Sequence, residues 1–600
     1  MHEAQKITSA LNPKSWETVS RNLLTKMISE FMYEDIIAPE YVKSEGDTVT
    51  YRLILNNGVE YTFQAKKRLF DSYRVLAETI QRHESGSSTQ ATNPNRFLLD
   101  LQNTIGMSST TAAHLIREYN HTLIADAHIL EKKQTQRLDL TQLDYAELEG
   151  EMEGHPWITY NKGRIGFGYD DYLAYAPEQK KPVRLSWIAV HKDKAEFHAV
   201  AGLEHDELIR KELGEQAKLF KRRLAELGAD AHHYFFMPIH EWQWNNYIIP
   251  FFAEDLANRE IVYLGTGEDE YLPQQSIRTF VNTSQKNRHH VKLPMSILNT
   301  LVYRGLPGER TVLAPKITEY IKGIWRKDPF LNEECRLILP GEIASLNYDH
   351  RYYANLEGVP YQYQELLGCI WRESIYSYLD EGEQPITLAS LLHVDGQGKP
   401  FVSALVERSG LPLEEWLDRL FAVILPPLLH YLYRYGVVFS PHGQNTILVL
   451  KNFVPHRLAI KDFVDDVNVS RHPIPELSNL PEDLRKVLRS EEPEGLCQFI
   501  FTGLFICHMR YLSDLLEIHH HYPEAAFWQK VRTTILGYQN RFPEWKERYE
   551  LFDLLRPKFT KLCLNRNRML DYGYADDDDR PHASEHGYVN NALANELSRP

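Results

Sequence analysis

The sequence predicts an α+β protein of several domains, with antiparallel sheets and a helix-rich C-terminal region. Three observations carry that reading. Val19, Leu23, Leu24, Met27, Ile28 and Phe31 recur at the spacing of one helix face over 15–36. Two apolar runs flank Asn56-Asn57-Gly58 and two more flank Lys451-Asn452, each pair the signature of an antiparallel hairpin. Beyond residue 496 the apolar positions return to helical spacing over 496–515, 525–538 and 549–564.

In chain order, the polar stretch 83–95 reads as an exposed loop, and helical patterning resumes over 97–101 and 112–124. Residues 1–150 therefore read as an α-rich domain with one small hairpin. Residues 151–340 read as β-rich, with strands over 184–190, 195–201 and 276–282 and a charged helix over 208–227. Pro294, shortly after Lys292, suits the first turn of a helix on which Thr300 and Arg304 share one face and Asn299 and Tyr303 another. Residues 341–600 hold the second hairpin, preceded by a helical stretch that Pro426-Pro427 interrupts and Gly436 ends. The acidic run Asp576–Asp579 and the polar residues after it read as a mobile tail.

A formal net charge of −15 argues against nucleic acid or an anionic membrane as the main partner. Five cysteines without a CxxC pair fit a reducing compartment, with neither a disulfide framework nor a zinc site. The N-terminal stretch MHEAQKITSALNPKSW lacks the apolar core of a signal peptide, and the apolar run 421–433 is too short to span a bilayer, so the cytoplasm is the expected location.

The chemistry-bearing residues gather in a few places. His442, Gly443, Gln444 and Asn445 precede the first strand of the second hairpin; Lys461, Asp462, Asp465 and Asp466 follow the second strand. Antiparallel pairing brings the two sets together. An amide oxygen beside a carboxylate suits a hard cation such as Mg²⁺, which often bridges to phosphate. The same HG..N…D order also fits a kinase-like phosphotransferase. Over 272–304, Ser276, Arg278, Thr279, Lys292, Thr300 and Arg304 combine hydroxyls with cations that suit a polyphosphate or a carboxylate, or form a solvated basic face. His155 sits on a Gly154-His155-Pro156 turn and alone reads as a capping or packing histidine. No GxGxxG or GxxxxGK[ST] occurs, which leaves Rossmann and P-loop sites unsupported. His519-His520-His521 reads as solvated surface, because consecutive residues do not share a helix face.

Taken together, GHP at 154–156 with KGRIGFG at 162–168, SIRT at 276–279, Lys292 with NTLVYR at 299–304, WRE at 371–373, HGQN at 442–445 and KDF at 461–463 resemble the NRPS-independent siderophore synthetases, the aerobactin-synthetase-like family, over essentially the whole chain. The form GHPWITYNKGRIGFG is most similar to the desferrioxamine, putrebactin, bisucaberin and alcaligin synthetases. Trp157 to Asn161 replace the second His-Pro of the citrate-activating branches. The resemblance implies a fingers–palm–thumb architecture with residues 1–150 thumb-like, 151–340 fingers-like and 341–600 palm-like, frequently as a homodimer. It implies ATP and Mg²⁺, attack of a carboxylate on the α-phosphate, release of pyrophosphate, and capture of the acyl-adenylate by an amine. The expected substrates are N-hydroxy-N-succinyl diamine units, with citrate as the rival acid. Under this resemblance His155, Ser276, Arg278, Thr279, Lys292, Arg304, His442, Gln444, Asn445 and Asp462 bind the nucleotide. Arg304, His442 and Lys292 act at the reacting centre, and Asn445 and Asp462 hold Mg²⁺. Thr300, Arg304, Arg372, Glu373 and His442 contact substrate, Glu373 chiefly by orienting Arg372.

Overall fold

The structure, a computed structural model, describes residues 7–594; the first residues of the N-terminal stretch weighed as a signal peptide lie outside it. The helix Pro13–Tyr33 starts where Asn12 accepts a hydrogen bond from Ser15 N and Pro13 supplies the first turn. It packs on the helices Pro94–Ile105 and Ser109–Thr135, capped by Asn93 and Ser108. The accompanying sheet is larger than one hairpin. It runs in the order Glu40–Glu45, Thr48–Ile54, Glu60–Lys67, Gln81–Glu84, Ser87–Gln90, with Tyr73–Val75 also paired to Glu60–Lys67. The stretch expected as a loop over 83–95 holds the end of the strand Gln81–Glu84 and all of Ser87–Gln90. Ser85 (φ 50°) and Gly86 (φ 79°) turn them, and both of its strands are polar because they lie at the solvated edge.

The middle of the chain builds a six-stranded antiparallel sheet in the order Tyr271–Pro273, Thr279–Asn282, His290–Lys292, Gly368–Arg372, Glu342–Tyr348, Ala195–Ala199. Thr279 pairs with Lys292, and His290 with Arg372. The strand expected over 276–282 begins only at Thr279, since Ile277 turns with φ 63°. The charged helix expected over 208–227 is two helices, His205–Leu213 and Gln216–Glu226, separated at Gly214.

The helix expected after Pro294 is a hairpin, Met295–Asn299 with Val302–Arg304. Thr300 (φ 48°) and Leu301 (φ 80°) make its turn. A spacing of four spans a two-residue hairpin turn as well as a helical turn, so Arg304 still reaches back to Thr300, on a different backbone.

In the C-terminal part, helix Leu413–Tyr435 runs through Pro426 and Pro427 without a break and ends at Gly436, whose φ of 58° favours glycine. The expected hairpin is present as Thr446–Lys451 and Val454–Ile460. Residues 493–520 form one helical stretch, π-wound over Phe499–Met509, that is apolar and long enough to cross a bilayer; 67% of its apolar window is buried in the protein core. The helix expected over 549–564 is a short helix, Lys546–Leu551, followed by strand Lys558–Cys563. Phe559, Lys561 and Cys563 are buried on alternate positions, the period of a strand. That strand pairs with Ser584–Asn590, so the segment expected as a mobile tail is folded through residue 594.

Candidate functional site

The HGQN and KDF ends of the second hairpin meet, as antiparallel pairing requires. Lys461 N donates to Asn445 O at 3.1 Å. Asp462 follows the strand in the left-handed backbone region (φ 74°), which swings its carboxylate away from the strand line. There it meets cations from the six-stranded sheet. Lys292 Nζ lies 2.5 Å from Asp462 Oδ1 and 2.6 Å from Asp465 Oδ2. Arg372 bridges Glu342 and Asp462 at 2.9 Å each, and Arg278 reaches Asp465 at 3.0 Å. Burial works against charge on these acids, but Lys292 and Arg372 hold Asp462, and Lys292 and Arg278 hold Asp465, below the usual carboxylate range. Asp466 is pushed the other way by burial and then by the negative charges of Asp462 and Asp465.

These acids line a polar cleft of about 820 Å³, together with Ser276, Arg278, Arg304, His442, Gln444 and Asn445. Ser276, Arg304, His442 and Gln444 also line an adjoining, more apolar chamber of about 560 Å³. That second chamber is walled by Met152, Pro156, Trp157, Leu301, Leu392 and Phe499. Five buried polar atoms on its wall have no hydrogen-bond partner: Trp157 Nε1, Arg164 Nε, Asn299 Oδ1, Gln498 Nε2 and His508 Nε2. Unpartnered buried polar atoms are costly unless a ligand satisfies them.

Arg304 stands at the junction. Its guanidinium donates to Asn299 O (3.0 Å) and Thr300 O (3.3 Å) and to the Thr300 hydroxyl, all neutral acceptors. Burial, followed by the charges of Arg278 and Arg580, pulls its pKa down to about 9. It is a half-buried positive charge without a carboxylate of its own. His442 is lowered to about 4 by burial, with Lys461 and Arg304 adding to the effect and Asp462 opposing it, so the imidazole is neutral at pH 7.

The other expected residues divide. Thr300 lines the apolar chamber. Lys292 and Arg372 are buried behind the carboxylates and reach the cleft only through Asp462 and Asp465. Thr279 is a buried strand residue whose amide donates to Ser276 Oγ. His155 plays two parts: Nδ1 accepts from Trp157 N and Ile158 N, while the ring lines the apolar chamber with Nε2 3.4 Å from Cys507 Sγ. Glu373 does not meet Arg372; its carboxylate takes Lys322 Nζ (2.6 Å), Tyr378 OH (2.5 Å) and Gly341 N (2.8 Å). His520 bonds Ser403 Oγ, and among the described residues no group of three or more His, Cys, Asp or Glu side chains is gathered as around a bound metal.

Arg310, Arg489, Arg580 and His582 line the cleft and were not anticipated. Arg489 and His582 lie in segments without apolar periodicity, which left them no local signal.

The fold and the cleft define an enzyme of siderophore synthetase architecture. Solved structures confirm the class. The petrobactin biosynthesis protein AsbB of Bacillus anthracis superposes with a TM-score of 0.88 at 28% identity, covering 98% of this chain and 97% of that one. Aerobactin synthetase IucC of a hypervirulent Klebsiella pneumoniae superposes with 0.84 at 29% identity, covering 97% and 99%. Residues 144–393 match the IucA / IucC family, and residues 414–577 match the family described as Ferric iron reductase FhuF-like transporter. The rhizobactin siderophore biosynthesis protein RhbF of Rhizobium meliloti is 42% identical over 99% of this chain and 98% of its own length. Putrebactin synthase of a Shewanella species is 35% identical over 93% and 88%. This chain belongs to the IucA/IucC family of siderophore synthetases.

Proposed function

We propose that the chain is an ATP-dependent ligase that adenylates a carboxylate and transfers the acyl group to an amine. The observation that carries this reading is Arg304, a half-buried cation without a carboxylate partner at the junction of a polar cleft and an apolar chamber. The chamber, with unpartnered donors and acceptors set in a largely apolar wall, suits a nucleobase. Ser276, Arg278 and Arg304 then face the phosphates, and a carboxylate enters the polar cleft. Its oxygen attacks the α-phosphorus, the bond to pyrophosphate breaks, and the acyl-adenylate forms. An amine nitrogen attacks the acyl carbon, and AMP and a proton leave as the amide forms. Arg278 and Arg304 stabilise charge that grows on the phosphate oxygens, and preorganised cations in a water-poor site are worth most there.

The residues fit Mg²⁺. Asn445 and Asp462 line the cleft with oxygen donors beside Asp465 and Asp466, and the negative charges that push Asp466 up are what a cation relieves. When bound, the ion neutralises phosphate charge; Lys292 and Arg372 hold the carboxylates in place for it.

The acid substrate we propose is an N-hydroxy-N-succinyl diamine unit, condensed through its succinyl carboxylate into an oligomer or macrocycle. Putrebactin synthase among the relatives supports this. A second reading, a citrate-derived acid, is favoured by Arg310 and Arg489, which line the cleft in addition to the cations assigned to the phosphates. A relative named as a citryl-spermidine ligase, 30% identical over 94% of the chain, points the same way.

The test incubates the protein with ATP, Mg²⁺ and either N-hydroxy-N-succinylcadaverine or citrate plus an amine. AMP and pyrophosphate with the hydroxamate alone support the first reading, and with citrate alone the second. ADP and phosphate overturn the ligase.

A further inference from the structure

Residues 576–583 have no regular secondary structure, and 578–582 of them line the cleft. The segment is tied at intervals. Tyr361 N donates to Asp577 O at 3.0 Å and Gln362 Nε2 to Asp576 Oδ1 at 2.8 Å. Farther on, Asn567 Nδ2 donates to His582 O at 2.5 Å, and Arg489 donates to His582 Nε2 at 2.7 Å. Between these ties Arg580 turns inward. Its Nε donates to Glu365 Oε1 at 2.9 Å, a second nitrogen reaches Gly305 O at 3.2 Å, and the guanidinium lies 5.6 Å from the Tyr361 ring centre.

Gly305 O also accepts from Arg278, so two guanidiniums share one carbonyl, while the neighbouring Arg304 turns its own guanidinium back to Asn299 O and Thr300 O. Asp465, shared with Lys292, pairs with Arg278, and Glu365 pairs with Arg580, while Arg304 has no carboxylate partner. A half-buried cation left in that way is stabilised by an anion from outside the chain.

We propose that Arg580 binds an oxyanion of the substrates, either a carboxylate of the acid or a phosphate of the nucleotide, and that Glu365 positions it. This rests on the ligase reading and adds to it a group delivered by the last residues of the described chain. Arg offers two parallel N–H donors to such an anion, and Lys only a point charge.

The test uses the full-length protein. Dissociation constants for ATP are measured by direct titration, and kcat and KM for the acid by AMP release. Arg580→Ala is expected to raise one of the two constants at least tenfold. A raised ATP constant assigns Arg580 to phosphate, and a raised acid KM assigns it to carboxylate. Arg580→Lys should fall between, and it carries the test if the alanine variant melts early. Glu365→Gln leaves the cation in place and should shift the same constant much less than Arg580→Ala. Constants unchanged within twofold in Arg580→Ala overturn the proposal. So does an equal loss in Arg580→Ala and Glu365→Gln, because that describes an anchor rather than a ligand contact. Wild-type protein that forms no AMP removes the ligase reading and the carboxylate arm with it; the ATP titration then decides the phosphate arm alone.

Discussion

Two buried ionic centres in this chain look alike by composition and differ in one respect. Asp328, with its side chain fully enclosed, accepts from His430 Nε2 (2.9 Å), Arg434 (2.8 Å), Tyr435 OH (2.6 Å) and Leu331 N (3.2 Å). His430 passes its other nitrogen to Tyr538 OH at 2.9 Å. Every polar atom there is answered from within the protein. The cleft around Arg304 is also charged, yet Arg304 meets only carbonyls and a hydroxyl. Burial of charge therefore does not mark a site; burial of charge without its counterpart does.

That contrast can be broken most severely at Asp328. Asp328→Ala leaves buried partners unanswered and should cost about 3–5 kcal/mol of stability, read as a lower denaturant midpoint. AMP formation per folded molecule should be unchanged, and a selective loss of activity would make the two centres equivalent. Arg304→Ala should do the reverse. We expect kcat to fall by about 10²–10³, or ~2.7–4 kcal/mol of transition-state stabilisation, with the melting temperature held or raised, because a half-buried unpaired cation is removed. Unchanged kcat would take Arg304 out of the site.

A smaller effect is expected at Asp462. Asn tolerates the left-handed backbone that Asp462 adopts, so Asp462→Asn tests the charge alone. The Mg²⁺ concentration for half-maximal rate should rise by about 10–100-fold; an unaltered metal titration removes the hairpin from the metal site. The pH dependence of stability follows from the buried histidines. Burial holds His442 at about 4 and His508 at about 3. The unfolded chain, with histidines near about 6.5, binds more protons than the folded one between those values. Stability is thus full above pH 6.5 and declines as the pH falls toward 4. Equal urea midpoints at pH 7.5 and pH 5 would contradict it. The least effect is expected from His520→Ala, within about 0.5 kcal/mol and with normal turnover, since that side chain meets only Ser403.

What could be read from the sequence was local. The hairpin 446–460 announces itself by Lys451-Asn452 between apolar runs, and pairing alone then brings Asn445 to Asp462. The contact of Arg304 with Thr300 was legible although its backbone was not. The spacing allowed a helix or a two-residue turn, and only the pairing of Met295–Asn299 with Val302–Arg304 decides for the hairpin. Glu373 was misdirected because neighbours along a strand face opposite sides, so it and Arg372 diverge. Arg580 and Arg489 were invisible, for they reach the cleft through contacts with residues far along the chain. The strand Lys558–Cys563 was hidden by apolar residues that also satisfy a helical period until its partner Ser584–Asn590 is known.

The packing of Glu34 bears on how the chain is made. Its fully buried carboxylate sits at the end of the first helix and accepts from Leu564 N, Asn565 N, Asn565 Nδ2 and Arg566 N. Those donors are translated more than five hundred residues later. In the finished fold burial pushes that carboxyl up to about 7, and the hydrogen bonds from Asn565 and Arg566 oppose the shift. The end of the first helix is therefore completed by residues 564–566, so its burial and the last stretch of synthesis are tied together.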